Sequence, residues 1–184
     1  EVLKPLLVHL GIPCTKLCQI GRREGCSQDD SAVSQDTESL VKFSLDVMDH
    51  QAQRGRLASK ENPVGSGLHE LDSVVEAQGS LKKPRYPWSH VRADGCALGM
   101  AYEGEDDQKG MAMRKGQIWT ANYSLENMGL RCNGAHALVG TSHEHRQIRG
   151  SHRIAGEGWT SVAARSGSYT PGQAAAYLLC AEPV

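Results

Sequence analysis

The stretch VKFSLDVMD, Val41 to Asp49, decides how the chain is read. Val41, Phe43, Leu45 and Val47 alternate with Lys42, Ser44, Asp46 and Met48, the period of a strand with one buried face. Wound as a helix, the same residues place Lys42 and Asp46 inside a broad apolar arc. The alternation therefore predicts a strand.

Outward from it, Glu1 to Leu10 carries Val2, Leu3, Leu6, Leu7 and Leu10 at spacings that suit a short helix, stopped by Gly11 and Pro13. Residues 14 to 39 hold three cysteines and a polar run, and read as a loop. Gln51 to Ser66 is polar and ends in the breakers Asn62-Pro63 and Gly65-Ser66-Gly67. Leu68 to Gln78 repeats apolar residues at Leu68, Leu71 and Val74/Val75, with Gly79 placed to cap it, and predicts an amphipathic helix.

Beyond Gly79, short apolar runs alternate with Gly-rich turns: Cys96 to Tyr102, Gln117 to Leu125, Ala135 to Val139, Trp159 to Ala164 and Ala174 to Ala181. Read as evenly spaced strands, they predict a mainly β fold, an antiparallel sandwich or barrel with one or two short helices in the N-terminal half. An α+β arrangement is the alternative. The chain is expected to be a single domain over 1–184, with 1–79 as a mixed strand, helix and loop segment packed on a β-rich core of 80–184.

Composition narrows the partners. Twenty Lys+Arg against 21 Asp+Glu leave a net charge of -1, so no global field draws the chain to nucleic acid or a membrane surface. The longest apolar run, Ala174 to Ala181, is far short of the ~20 residues a membrane helix needs. Six cysteines exceed ordinary cytosolic usage. Cys14, Cys18 and Cys26 have C-x3-C and C-x7-C spacing without the second short pair a zinc finger uses, so disulfides are favoured over free thiols, and both over a Cys-based metal site. A start at Glu1 suggests a processed product, and Asn122-Tyr123-Ser124 is a glycosylation sequon. These features point to an extracellular, secreted or virion-surface location.

Cys132, the pair Gly158-Trp159, and Ala176-Tyr177-x-x-Cys180-Ala181 resemble a repeat of secreted bacterial and phage-associated β-domains. There, paired cysteines bracket a Gly-rich strand and a Gly-Trp strand. The resemblance spans residues 132–181 and lacks the Cys-Pro-x-Gly and triple-Gly elements of that group. It implies one pairing, a Cys132–Cys180 disulfide.

Chemistry concentrates in Asn133 to Trp159, where His136, His143, His145 and His152 all fall. On an extended strand His143 and His145 share a face and can ligate one divalent metal. His136, His152 or His90 would supply a third ligand, and Glu157 or Glu103 a carboxylate. Gly-Thr-Ser-His-Glu-His, ending at His145, is similar to the first cupin motif, but Gln147 and Arg149 stand where that motif places its glutamate. Arg146, Arg149 and Arg153 interleave with the histidines and oppose a bound cation. As a loop, the same segment would take an anion through Arg146, Arg149 and His152.

In Lys82 to Arg92, the cations Lys82, Lys83, Arg85 and Arg92 interleave with Tyr86 and Trp88, a pattern that can stack on bases or sugars while pairing phosphates or sulfates. The same stretch also suits a connector whose Trp88 packs on the core. The acidic run Glu103, Glu105, Asp106 and Asp107 lacks calcium-loop spacing and reads as a solvated hairpin tip. No G-x-S-x-G elbow, P-loop or dinucleotide fingerprint is present. The residues thus predict a binding or structural domain that contacts a protein, a glycan or an anionic ligand through basic and His-bearing loops. A cupin-like metal-dependent enzyme using His143 and His145, and a subunit of a larger assembly or oligomer, are the alternatives.

Overall fold

The computed structural model describes residues 4–12, 30–104, 106, 109–134, 143–146, 148, 151–154, 158–161 and 169–181. In chain order they form β1 (Leu7–Gly11), α1 (Asp30–Gln53), β2 (Leu57–Pro63), α2 (Asp72–Gln78), β3 (Gly79–Ser80), β4 (Lys83–Pro84), β5 (Ser89–Asp94), β6 (Ala112–Met113), β7 (Gly116–Ala121), β8 (His145–Arg146), β9 (Ser151–Ile154), β10 (Gly158–Ser161) and α3 (Pro171–Ala181). The fold is mixed α/β with open sheets, and helix (39%) outweighs strand (27%), so a mainly β sandwich or barrel is supported only loosely. Two compact units result: Glu1–Val91 with Ile118–Leu125, and Arg92–Gln117 with Glu126–Glu182.

The first unit is built on a sheet of order β1-β2-β7-β5. β1 and β2 run parallel, Leu7 opposite Leu57 through Gly11 opposite Glu61, and α1 makes the connection between them. The expected helix over Glu1 to Leu10 is therefore replaced by a strand at Leu7–Gly11, because its backbone pairs with β2.

Val41 to Asp49 is the main correction. It lies in the 24-residue α1, not in a strand. Val41, Ser44, Met48 and Gln51 form the buried stripe at helical spacing, while Phe43 is 61% exposed. Two polar members hide this stripe from a periodicity reading. The Ser44 hydroxyl donates to Leu40 O at 2.7 Å, and Gln51 Nε2 donates to Pro5 O at 3.1 Å, so both are buried with partners. Gly55, at φ 64°, ends the turn that follows the helix.

β2 falls inside the polar stretch Gln51 to Ser66. Ser59, Lys60, Glu61 and Asn62 are all buried there. Asn62 Nδ2 donates to Ile12 O at 2.8 Å, and Ser59 Oγ meets His9 Nδ1 at 2.8 Å. Burial pushes His9 down to about 4. Lys60 differs: it is 1% exposed and its Nζ finds no hydrogen-bond partner among the described residues. Burial pushes it down to about 8.

Two apolar clusters close the unit: Ile12, Val41, Leu68 and Val74, and Met48, Ala58 and Trp88. The helix expected over Leu68 to Gln78 is broken into a 3-10 turn at Gly67–Glu70 and α2, and Gly79 caps the end at φ 79°. A side chain at Gly79 would strike the Arg85 and Lys83 backbone.

In the second unit the expected strand at Cys96 to Tyr102 is a 3-10 turn, Gly95–Leu98, followed by a single bridge at Ala101. Met100, Tyr102 and Met113 form its core, with Ile148 against them. β6 pairs with β8 in parallel, and β9 with β10 antiparallel. The strand expected over Gln117 to Leu125 is met in part by β7, which ends at Ala121, and that over Trp159 to Ala164 in part by β10, residues 162–164 lying outside the described residues. Ala135 to Val139 lies outside the described residues.

Ala174 to Ala181, read as a strand, belongs to α3. Thr170 Oγ1 accepts the Gln173 N–H at 3.1 Å and Gln173 Oε1 accepts the Thr170 N–H at 2.8 Å. This is a capping box with Pro171 at the first helical position, and it commits the following alanines to helix. Gly172 lets α3 come up to Leu98 O, to which Thr170 Oγ1 donates at 2.6 Å. The expected Cys132–Cys180 disulfide is not formed; both thiols are free.

Two measurements test this fold. Met48→Ala should cost about 2–5 kcal/mol in chemical denaturation, and Phe43→Ala well under about 1 kcal/mol; the reverse order would restore the strand reading. Lys60 has a depressed folded pKa, so its contribution to stability declines as pH falls from about 10.5 to about 8 and is constant below. Lys60→Met should remove that dependence and raise stability at neutral pH by about 1–3 kcal/mol.

Candidate metal centre

Cys96, Cys132, His143 and His145 converge in the second unit, one donor atom from each, all within 4.8 Å of one another. Cys96 sits in the Gly95–Leu98 turn directly after β5, and this turn closes on Gly99 in the left-handed region at φ 85°. Its thiol is buried. His145 opens β8, whose pairing to Ala112 and Met113 sets the direction of the strand. His143 precedes it by two residues, as the shared-face argument requires.

Cys132 is positioned by hydrogen bonds on both sides. Its N–H donates to Asp94 Oδ2 at 3.0 Å, and the Gly134 N–H donates to its Sγ at 3.4 Å. Gly134 takes φ 88°, and its carbonyl accepts the His143 N–H at 3.0 Å, tying the Cys132 loop to the histidine segment.

The distances match one tetrahedral ion. Zinc–sulfur bonds near 2.3 Å and zinc–nitrogen bonds near 2.0–2.1 Å imply edges of about 3.5 Å between N and S and about 3.3 Å between N and N. Cys132 Sγ lies 3.5 Å from His143 Nε2 and 3.3 Å from His145 Nε2. The two Nε2 atoms are 3.1 Å apart, and His145 Nε2 is 3.3 Å from Cys96 Sγ. These four atoms can hold one metal ion.

Electrostatics sort the donors. Burial pushes the Cys96 thiol up to about 12, with Cys132 and Asp94 adding to the shift, so a cation is what would make it a thiolate. Burial, then His143 and Arg114, hold His145 below its ordinary value, which keeps its imidazole neutral and able to donate a lone pair.

Asp94 lies beneath this cluster with its side chain fully buried. Burial raises its carboxyl, but the Cys132 N–H and the Arg131 guanidinium outweigh that and leave it below the ordinary carboxylate range. Arg131 Nε donates to Oδ2 at 3.1 Å; Arg114 Nη2 lies 3.7 Å from Oδ2 and Arg92 Nη2 3.8 Å from Oδ1.

The other expected site residues are distributed more widely. Arg146 stacks over the Tyr102 ring at 3.9 Å and pairs with Asp106 at 3.7 Å, so its charge is engaged rather than opposing a metal. Lys82, Lys83, Arg85 and Tyr86 are exposed around β3 and β4, and Arg85 Nη1 donates to Glu76 O at 2.6 Å. Trp88 is buried against Met48 and Ala58, where it serves the core and not a surface. His90 meets Thr120 Oγ1 at 2.9 Å in the first unit, and Glu103 is exposed outside the cluster. His152 and Arg153 lie in β9, with side chains outside the described set; His136, Arg149 and Glu157 fall outside the described residues.

The two cysteines were missed because 35 residues separate them in the chain. The available local signal was Cys132-Asn133-Gly134, in which a glycine two residues on returns its N–H to the sulfur. Asn122, in the sequon, uses its amide structurally: Oδ1 accepts the Ala58 N–H at 2.8 Å and Nδ2 donates to Arg56 O at 2.8 Å. No helix among the described residues is long and apolar enough to cross a membrane. Comparison with protein-family models, curated proteins and solved structures finds no match for the chain.

Proposed function

We propose that this chain is a zinc-binding module whose second unit is organised by one Zn²⁺ held by Cys96, Cys132, His143 and His145. The observation that carries this reading is the convergence of four donor atoms, all within 4.8 Å of one another. Two thiolates and two imidazoles favour zinc among the divalent ions, and four protein ligands leave no open position for a water or substrate. The role is therefore structural, and the unit acts by binding.

The cupin-like alternative loses support in the donor set, since that chemistry uses histidines and a carboxylate with an open position. Thiolates spent on a metal need no oxidising compartment. The extracellular expectation then leans on Cys14, Cys18 and Cys26, which lie outside the described residues, and on the sequon at Asn122, whose amide is already engaged.

Elemental analysis of the purified protein should find about one zinc per chain, lost in the His143→Ala/His145→Ala variant and in Cys96→Ser. Cobalt substitution should give the intense visible absorption of a tetrahedral thiolate site. A weak octahedral cobalt spectrum, or zinc retained by the double variant, would discard the proposal.

A further inference from the structure

The three arginines around Asp94 exceed what that carboxylate needs. Oδ2 already accepts from the Cys132 N–H and from Arg131 Nε at hydrogen-bond distance. A buried carboxylate with one guanidinium and one amide is compensated. Arg92 and Arg114 nevertheless point their Nη2 atoms at the same group, at 3.8 and 3.7 Å, too far for hydrogen bonds. Their side chains are 41% and 48% exposed, and that of Arg131 48%. All three side chains are therefore partly open to solvent, and of the three only Arg131 donates a hydrogen bond to the carboxylate.

Three guanidinium charges over one carboxylate leave an excess of two positive charges. A zinc ion with two thiolates and two neutral imidazoles carries no net charge, so the neighbouring centre does not offset it. Like charges gathered this closely repel unless an anion joins them. The excess matches a dianion, and planar forks suit tetrahedral oxyanions.

We infer that Arg92, Arg114 and Arg131 form a binding site for a phosphate monoester, with Asp94 as the buried post that holds the three head groups together. The inference rests on the binding reading of this unit and names its ligand class. Asp94 Oδ1, which has no hydrogen-bond partner among the described residues, faces Arg92 and attracts that side chain by charge across 3.8 Å. The ligand phosphoryl is engaged by the outward N–H groups of Arg92 and Arg114. A monoester dianion fits the charge better than the single charge of a diester or carboxylate.

The test is calorimetric titration of the full-length, zinc-loaded chain with inorganic phosphate, O-phosphoserine in a short peptide, and a dinucleotide diester, with zinc content measured on the same samples. Phosphate and phosphopeptide should bind saturably, and more tightly than the diester. Arg92→Gln and Arg114→Gln should each weaken binding by about tenfold at unchanged zinc content. Lys82→Gln/Lys83→Gln, which alters exposed cations of the first unit, should leave it unchanged. Peptide binding well above that of free phosphate assigns the source to a phosphorylated protein, and equal binding assigns it to a small metabolite. Absence of phosphate binding in the zinc-loaded chain overturns the inference. So does binding indifferent to both arginine variants, or a diester bound as tightly as the monoester. A sample without zinc that still shows arginine-dependent phosphate binding sinks the metal reading alone.

Discussion

The second unit depends on a carboxylate that must not be left alone in the interior. Asp94 ends β5 with its side chain fully buried, and an unpaired charge there would cost several kcal/mol. Its partners are the Cys132 N–H and Arg131, brought from a loop that is distant in sequence. That bond sets Cys132 beside Cys96, which follows Asp94 by two residues. The Gly134 amide and carbonyl then connect Cys132 to the histidine segment. The cluster that could hold a metal ion and the arginine cluster are therefore two consequences of one compensated charge.

The first unit solves a similar problem with backbone and neutral amides. β2 carries four consecutive buried polar residues, a pattern that no hydrophobicity scale assigns to a sheet interior. It is tolerated where partners exist, as for Asn62 with Ile12 O and Ser59 with His9, and Asn122, just after β7, bonds to Ala58 and Arg56. Lys60 is the exception, a buried ammonium without a hydrogen bond among the described residues, and its lowered pKa is the local cost of that placement.

The parts of this architecture legible in the sequence were those whose signals are local. β7, the break at Gly79 and the shared face of His143 and His145 follow from alternation, from glycine conformation and from period two. The capping box Thr170-Pro171-Gly172-Gln173 was equally local and would have identified α3 had it been weighed against the apolar run after it. Val41 to Asp49 failed for a different reason. Its alternation is genuine, yet the buried positions are Val41, Ser44 and Met48, and Ser44 qualifies only because Leu40 O accepts its hydroxyl.

By itself the sequence determined composition, near-neutral charge, the turn residues and the pair of imidazoles two residues apart. Only the tertiary structure decided that Phe43 faces solvent while Met48 is buried, that a polar segment pairs as β2, and that Cys96 and Cys132 join the histidines instead of forming disulfides. The reason is range. Helical caps and strand alternation are settled within a few residues, whereas a four-ligand centre and a buried charge are satisfied by contacts between segments the chain separates by dozens of positions, and spacing alone carries no trace of them.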